Sequence, residues 1–545
     1  MRPLYAAVLL SLAGCDRSGE APPLASGTPA GSASSPLVQA ASGGLGAPSA
    51  AEVDQAPLPS ALEPLVDLSG AVHLPPPLAE GAPRVGVVAW NARVHVRADR
   101  ESRLLGALRG GAVVATREAA TGPTRDCKAG WQGLVPSGFV CKDDVTHDLA
   151  HPILRAASRG PDVSHSLPYM YGTVTRGGPV YARVPTAAEL ATHEPSLERH
   201  LAKWADDEVS GAGYGLDVWL RHAPGREVPD ALTALRDRVT DPEIPWFLRD
   251  HRAVPNLSGL VASDGAVRVD QIDRRQGRSF TESFLFEGRR YNVTPDLVVI
   301  PADRFRPIRG SSFHGFEIAR ERVPLPFALI RRAGGKRYAL DPKKKKLVET
   351  GELEHRALVR LTGKQQFFRG RLHFETVDGD YIDDRHASRV DPAKRWPKWA
   401  QDGQKWLDIN LTKQVLVAYE GQSMVYATLI SSGEDGLADP ATSKRATIRG
   451  IYRIHTKWVS AKMDSQAVGE EFELRDVPYV QYFEEGYALH GAYWHDGFGT
   501  PKSHGCINLA PEDARRLFSF TEPAVPPGWH GAMKPLTGTI LFVHP

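Results

Sequence analysis

The chain has 545 residues, of which 42% are hydrophobic and 24% are charged, and both values are ordinary for soluble globular protein. Its 66 basic and 64 acidic residues leave a net charge of +2, which argues against nucleic acid as the main partner. At roughly 100–200 residues per domain, the length predicts about three or four modules. The composition therefore excludes a wholly disordered protein and leaves enough apolar mass for several cores.

Residues 1–15 have the layout of an export signal. Arg2 supplies a positive charge, and residues 4–14 form an apolar run that is too short for a bilayer, which takes ~20 residues. The ending LAGC resembles the bacterial lipobox, whose cysteine becomes the first residue of the mature protein and carries the lipid. The resemblance implies that Cys15 anchors an exported protein to a membrane through more than one acyl chain. A plain signal peptide with a chance cysteine, or a short buried helix, is the alternative.

Residues 16–83 are dominated by Ala, Gly, Ser and Pro, as in EAPPLASGTPAGSASSP. This composition cannot bury enough surface to offset chain entropy, so we predict a disordered linker with an r.m.s. span of roughly 45 Å. The linker would let the protein reach from a membrane anchor toward the cell wall, or would serve as a passive spacer.

Residues 84–148 change to short apolar runs separated by glycines, which is typical of closely spaced strands. Their order, ending in GWQGLVPSGFVCKDDV, resembles a bacterial SH3-like β domain. Such a module either binds wall peptides or packs beside a catalytic domain. Cys127 and Cys141 in this module are the natural disulfide pair of an exported protein, and two separate buried thiols are the alternative. Pairing would leave Cys506 as the free thiol of the mature chain.

Residues 149–403 give no chemical signal. The segment 169–183 has β character, 185–205 is partly helical, and 374–383 predicts a hairpin around an Asp-Gly turn. We therefore predict a mixed α/β region of unknown role.

The last part of the chain, 404–545, returns to clean alternation. Apolar residues at every second position predict strands with one buried face at 407–411, 415–419 and 425–429. The segment 480–489 predicts a hairpin that ends at His490. A helix is predicted from Pro511, since proline suits the first helical turn and acidic residues follow it. The whole chain is thus expected to be mainly β with some α.

Cys506 lies in a short glycine-containing turn, Ser503-His504-Gly505-Cys506-Ile507-Asn508. A thiol with an ordinary pKa of ~8.5 needs help to become a nucleophile, and a histidine is the usual helper. His504 is too close in sequence to swing between the sulfur and a leaving group. His490, at a predicted strand end, can approach from across a groove. Bare N–H groups of the turn would provide an oxyanion hole.

The run YALHGAYWHDGFGTPKSHGCINLAPEDA resembles the active-site stretch of the L,D-transpeptidases of the YkuD family, in which an upstream His-Gly precedes [Ser/Thr]-His-Gly-Cys. The resemblance implies Cys506 as nucleophile, His490 as base and the Gly491 carbonyl as its orienting group. His504 would stabilise the oxyanion with the N–H groups of Gly505 and Cys506. Ser503 and Asn508 would support the loop. The segment around Thr447 keeps the family's Thr and Gly but lacks its usual Pro.

The implied reaction is acyl transfer on peptidoglycan without a cofactor. A tetrapeptide stem would acylate the cysteine as a thioester, and a second stem would accept the acyl group in a 3→3 cross-link. Alternatives are an L,D-carboxypeptidase, an enzyme that attaches an envelope protein to the wall, and a wall-binding lipoprotein without turnover. The location would be the envelope or periplasm.

Two readings of the neighbouring side chains stay open. The imidazoles of His490, His495 and His504 with the thiol of Cys506 could bind zinc, although no carboxylate or second cysteine accompanies them. The aromatic residues after His490 are candidates for the wall or lid of a substrate groove, and ordinary packing is the alternative; they are Tyr493, Trp494 and Phe498.

Overall fold

A computed structural model describes residues 81–205, 244–249, 252–257, 259, 267–443, 445–465 and 472–545. The predicted signal peptide, the lipid anchor at Cys15 and nearly all of the predicted linker 16–83 lie outside these residues. Chain contacts separate two units, Met1–Leu58 and Pro59–Pro545, and every described residue belongs to the second. In the described ranges, no helix has the length and apolar character that crossing a membrane would require.

The prediction of a mainly β protein is confirmed, since 43% of the described residues are in strands and 10% in helices. The first part of the described chain holds seven short strands, β1 (Arg84–Val87), β2 (Asn91–His95), β3 (Leu104–Arg109), β4 (Val113–Thr121), β5 (Trp131–Leu134), β6 (Phe139–Cys141) and β7 (Val145–Thr146). A disulfide joins Cys127 to Cys141, and both sulfur-bearing residues are buried against Trp131.

Within residues 149–403, the part that the structure describes consists mostly of strands. Its elements are α1 (Pro152–Ala156), β8 (Met170–Val174), β9 (Gly178–Tyr181), α2 (Ala187–His193), α3 (Leu197–Ala205), β10 (Arg268–Ile272), β11 (Gln276–Phe280), β12 (Glu282–Phe286), β13 (Arg289–Val293), β14 (Val299–Pro301), β15 (Phe305–Ile308), β16 (Phe327–Ile330), β17 (Lys336–Asp341), β18 (Lys346–Glu352), β19 (Leu358–Phe368), β20 (Arg371–Thr376), β21 (Tyr381–Asp383), β22 (Ala387–Val390) and α4 (Lys398–Gln401). The predicted hairpin at 374–383 is confirmed by the antiparallel pairing of β20 with β21.

The last part carries the strands and the helix that the alternation predicted. Its elements are β23 (Lys405–Asn410), β24 (Val415–Glu420), β25 (Ser423–Leu429), β26 (Gly450–Arg453), β27 (Thr456–Ser465), β28 (Phe472–Glu484), β29 (Tyr487–Gly491), β30 (Ile507–Leu509), α5 (Pro511–Phe520), β31 (Gly531–Met533) and β32 (Ile540–His544). Strand β29 turns back on β28 as the predicted hairpin. Helix α5 begins at Pro511 and buries Leu517 and Phe518.

The three parts share one large sheet instead of forming separate layers. Its central order is β15-β8-β11-β28-β27-β31-β3-β2-β6-β5, so strands from all three parts are neighbours. Strand β11 pairs in parallel with β28, and β3 pairs antiparallel with β31. A core cluster likewise combines Val94 and Leu108 with Leu407, Tyr479 and Leu541. The segment 84–148 therefore packs on the C-terminal part.

Three smaller sheets complete the molecule. Strands β10, β9, β14, β13 and β12 form one of five, and β18, β17, β21, β20, β19, β16 and β22 form one of seven. The third has the order β25-β24-β23-β32-β26, in which β32 returns from the chain end to lie parallel to β23. This last sheet and the β28–β29–β30 edge of the large sheet pack against α5 in one core cluster, which includes Leu407, Leu489 and Leu517.

Candidate functional site

Cys506 and His490 lie on neighbouring parallel strands. His490 is in β29 and pairs with Asn508 of β30, while Cys506 stands directly before β30. Paired residues and residues two apart point to the same side of a sheet, so the sulfur and the imidazole share one face. Strand spacing and rise place the two Cα atoms about 8 Å apart along a diagonal, a separation that the two side chains can bridge.

The His490 imidazole is buried, with 2% of its surface exposed. Its Nδ1 lies 3.4 Å from the Gly491 carbonyl oxygen, an acceptor, so Nδ1 carries the proton and Nε2 presents a lone pair. Burial lowers the pKa of His490 to about 4, and the Gly491 carbonyl offsets only part of that effect. The ring is therefore neutral at pH 7 and has the form that a general base needs.

The Cys506 thiol is half-buried in an apolar cluster that also contains Ala488 and Trp494. Burial raises the pKa of the thiol, although a backbone hydrogen bond from Ala488 acts in the opposite direction. The sulfur approaches the Gly486 carbonyl oxygen at 3.7 Å. Sequence reasoning expected the imidazole to make this sulfur ionic. In the structure burial disfavours charge on both groups, because it lowers the pKa of the imidazole and raises the pKa of the thiol.

The hydroxyl group of Ser503 stabilises the turn before Cys506. Ser503 Oγ donates to the Cys506 carbonyl and accepts from the Gly505 N–H at 3.1 Å. The Gly505 N–H was expected to be bare and to face an oxyanion, but in this tight turn it already has the serine hydroxyl as a partner. Gly505 has a φ of +121°, which favours glycine. His504 is exposed, and its ring lies 5.2 Å from that of Phe472.

Of the three aromatic groove candidates, only Trp494 is partly exposed. Its ring centre lies 5.7 Å from that of His490. Tyr493 and Phe498 are wrong as groove residues, since they are 2% and 1% exposed and belong to the core. Tyr493 stacks on Tyr171 at 4.3 Å, so ordinary packing explains it.

Several residues that position the site escaped sequence reasoning. Thr447 Oγ1 donates to the Gly505 carbonyl at 2.8 Å and accepts from the Gly433 N–H at the same distance, which fixes the turn from outside. Asp513, in the first turn of α5, is fully buried. Its carboxylate accepts from the Gly315 N–H and from two hydroxyls, those of Tyr426 and Thr428. The retained Thr in the ATIRG segment was the available signal for Thr447, whereas nothing local marked Asp513.

The middle of the chain braces the loop that follows His490. Arg356 donates to the carbonyl and carboxylate oxygens of Asp496, both at 2.6 Å. Phe313 stacks with Phe498 at 6.3 Å on the same side. A cavity of about 880 Å³ opens beside Asp496 and is lined by residues 160–170 and 308–312, among others. The middle of the chain, for which no role was predicted, thus contributes walls around this loop.

Side chains that could bind a metal ion lie close together near the disulfide. In the part of the chain that the structure describes, one group of three candidate ligand atoms lies within 4.8 Å of one another, and it comprises Cys127, Cys141 and Asp143. Its two cysteines form the disulfide. His490, His495, His504 and Cys506 do not form such a group, since His504 points outward to Phe472.

Comparison with known proteins identifies this part of the chain. Residues 404–535 match the YkuD family, whose description is the L,D-transpeptidase catalytic domain. A Bacillus subtilis protein named as an L,D-transpeptidase, YciB, is 29% identical over 124 residues, which is 21% of this chain and 59% of the relative. The match thus spans under two thirds of that relative's length.

Solved structures of L,D-transpeptidases are also similar to the chain. One from Xylanimonas cellulosilytica is 23% identical, with 28% of this chain and 65% of that chain covered, at a TM-score of 0.20. One from Mycobacterium smegmatis is 14% identical, with 43% and 88% covered, at a TM-score of 0.21. The family match shows that residues 404–535 form an L,D-transpeptidase catalytic domain of the YkuD family.

Proposed function

We propose that the chain is an exported peptidoglycan L,D-transpeptidase that forms 3→3 cross-links through a thioester on Cys506. The observation that carries the proposal is the placement of the Cys506 thiol and the neutral His490 imidazole on one face of paired parallel strands, inside the matched domain. Relatives of this domain are named for transfer at L,D centres. Wall stem peptides are therefore the proposed donor and acceptor.

The first half of the reaction forms the acyl-enzyme. His490 Nε2 takes the proton from Cys506 Sγ as the sulfur attacks the carbonyl carbon at the L-centre of the third stem residue, so a C–S bond forms and the carbonyl oxygen becomes an oxyanion. Donors near the turn, including the Cys506 N–H and His504, stabilise that oxyanion. The imidazolium returns its proton to the nitrogen of the terminal D-Ala, the C–N bond breaks, and a thioester remains.

The second half transfers the acyl group to an amine. A neutral side-chain amine of a second stem attacks the thioester carbon, and His490 removes the excess proton from the nitrogen. The C–S bond then breaks, and the thiolate recovers a proton from the imidazolium. Because the thioester keeps the energy of one amide bond, the reaction needs no nucleotide, and each proton that His490 takes is returned.

The burial of both groups gives this mechanism a particular resting state. A thiol with a raised pKa beside an imidazole with a lowered pKa holds no stable ion pair at pH 7. Proton transfer then accompanies attack on a bound stem, once the stem and its dipoles surround the sulfur. This arrangement keeps the thiol weakly reactive toward other electrophiles when no stem is bound.

The cavity beside Asp496 supports a place for the second stem. Its volume of about 880 Å³ lies within the range of roughly 300–1,000 Å³ that is typical of ligand pockets. Leu167, Tyr169 and Ile308 line it and also belong to the apolar cluster that touches Cys506, so the cavity and the thiol border the same group of side chains. We include in the proposal that the middle of the chain forms part of the acceptor site, and that Cys15 anchors the protein to a membrane.

The test incubates the full chain with purified tetrapeptide muropeptides and separates the products by chromatography and mass spectrometry. Dimers joined between third residues support transpeptidation. Tripeptide monomers alone indicate a carboxypeptidase, and stems joined to an added envelope protein indicate protein attachment. No product under any condition would refute turnover and leave the binding-only alternative.

A second measurement tests the nucleophile directly. Exposure to a carbapenem should add one inhibitor mass to the wild-type chain and none to Cys506→Ala. An adduct that survives this substitution would remove Cys506 from the proposal. His490→Ala should lower turnover at least as much as His504→Ala, because the buried imidazole is the proposed base.

A further inference from the structure

The side chains of His495 and Asn508 are in contact, and their surroundings decide which atom of each donates and which accepts. The backbone N–H of Gly497 donates to His495 Nδ1 at 3.2 Å, so Nδ1 is an acceptor without a proton. His495 Nε2 faces the amide nitrogen of Asn508 at 2.9 Å. A neutral imidazole has one donor and one acceptor nitrogen, so Nε2 must carry the proton, and a donor cannot bond to the N–H₂ group of an amide.

The conflict disappears when the Asn508 amide is turned by 180° about its terminal bond. Amide oxygen and nitrogen are assigned from their partners, since their shapes are nearly identical. Turned over, Asn508 Oδ1 accepts from His495 Nε2–H at the same 2.9 Å.

The turned amide also completes a closed ring of hydrogen bonds. Ser431 Oγ donates to the Gly497 carbonyl at 3.1 Å, and the Gly497 N–H donates to His495. The backbone groups of Ser431 and Asn508 exchange two hydrogen bonds of 2.9 Å, which closes the ring. Each donor in it meets one acceptor. The ring ties together three segments: the end of β25, the loop after His490, and strand β30, which follows Cys506.

We infer that His495 is a positioning residue for the proposed acyl transfer: as the neutral Nε2–H tautomer it donates to Asn508 Oδ1, and so fixes the His490 loop against the Cys506 strand. The inference rests on the proposed function. The turned N–H₂ group of Asn508 stays buried, with no hydrogen-bond partner in the described part of the chain.

The pair of variants His495→Gln and His495→Leu separates this role from simple packing. Glutamine keeps a side-chain N–H for Asn508 Oδ1, whereas leucine fills similar volume and cannot donate. We expect His495→Gln to keep the rate constant of carbapenem acylation within about threefold of wild type. In His495→Leu this rate constant should fall roughly ten- to hundredfold, with carbapenem binding before acylation little changed. Equal activity of both variants with wild type would overturn the inference.

The tautomer itself can be read without any turnover. Nitrogen-15 NMR of the histidine-labelled full chain at pH 7, with the His495 signals assigned by their loss in His495→Gln, should show a protonated Nε2 and a bare Nδ1. A protonated Nδ1, or a charged ring, would overturn the inference even if His495→Leu is inactive through misfolding. If wild type is not acylated at all, the proposed function fails, while the ring assignment is still decided by the spectrum.

Discussion

Replacing Asp476 by asparagine removes one buried negative charge and keeps the shape of the side chain. Asp476 lies in β28 and is 7% exposed. Its carboxylate accepts from Arg109 at 2.6 Å and from Ser279 and Ser460 at 2.5 and 2.9 Å. Burial alone would raise the pKa of Asp476, but the Arg109 guanidinium and the serine hydroxyls hold it below the ordinary value. The residue thus links strands from all three parts of the chain.

The expected loss of stability follows from those contacts. Breaking a buried ion pair by removing one charge costs about 3–5 kcal/mol, because the other charge stays buried without compensation. The cost of leaving the Arg109 charge without its carboxylate is reduced, because Arg109 is 15% exposed and its guanidinium lies 3.6 Å over the Trp90 ring. We therefore expect Asp476→Asn to lower the free energy of unfolding by about 3 kcal/mol. Asp476 has a φ of +49°, a conformation that asparagine tolerates, so backbone strain does not enter the comparison.

Urea unfolding of the full chain at pH 7, followed by tryptophan fluorescence, measures this loss. Asp162→Asn is the matched control, because Asp162 and its partner His165 are both exposed, and this change should alter stability by less than about 1 kcal/mol. Combining Asp476→Asn with Arg109→Gln should cost less than the sum of the two single changes. A loss below about 0.5 kcal/mol for Asp476→Asn, or strict additivity, would refute the reasoning.

Further outcomes are expected elsewhere in the molecule. Because burial holds the pKa of His490 at about 4, below its unfolded value of 6.5, the stability of wild type relative to His490→Gln should fall by about 3 kcal/mol as the pH drops from 6.5 toward 4; a difference in unfolding free energy that does not change with pH would contradict it. Asp513→Ala leaves three buried donors unsatisfied and should cost about 3 kcal/mol or more, whereas unchanged urea unfolding would exclude the carboxylate as a support of α5. Leu167→Trp should fill part of the 880 Å³ cavity and lower dimer formation from muropeptides while carbapenem acylation persists. Equal loss of both activities would show that the cavity does not serve the acceptor stem alone. Cys15→Ser should move the protein from the membrane to the soluble fraction, and unchanged fractionation would defeat the anchor.

Local signals predicted the elements around the site. The hairpin that leads to His490 was evident from period-two alternation and a turn glycine, and helix α5 from proline followed by acidic residues. Both patterns act within about ten residues. The same reasoning placed Cys506 in a turn and His490 at a strand end, and their pairing in space required only that β29 and β30 be adjacent.

The supports of the site could not be predicted, because they depend on pairings between distant residues. Asp513 meets Gly315 across 198 positions, and Asp476 meets Arg109 across 367. The sequence around a single acidic residue does not distinguish a carboxylate exposed to solvent from one that accepts hydrogen bonds from buried donors. Tyr493 and Phe498 were misplaced for the related reason that an aromatic side chain near a catalytic motif suits a groove and a core equally well.

The shared sheet has a practical consequence for anyone who shortens this protein. Cutting before residue 404 would strip β11 from β28 and β3 from β31, and so uncover two rows of unpaired backbone N–H and C=O groups. Exposed sheet edges can pair with strands of other chains, so a fragment that begins at residue 404 should aggregate on expression. A trimmed form that retains residues 84 onward keeps both edges covered.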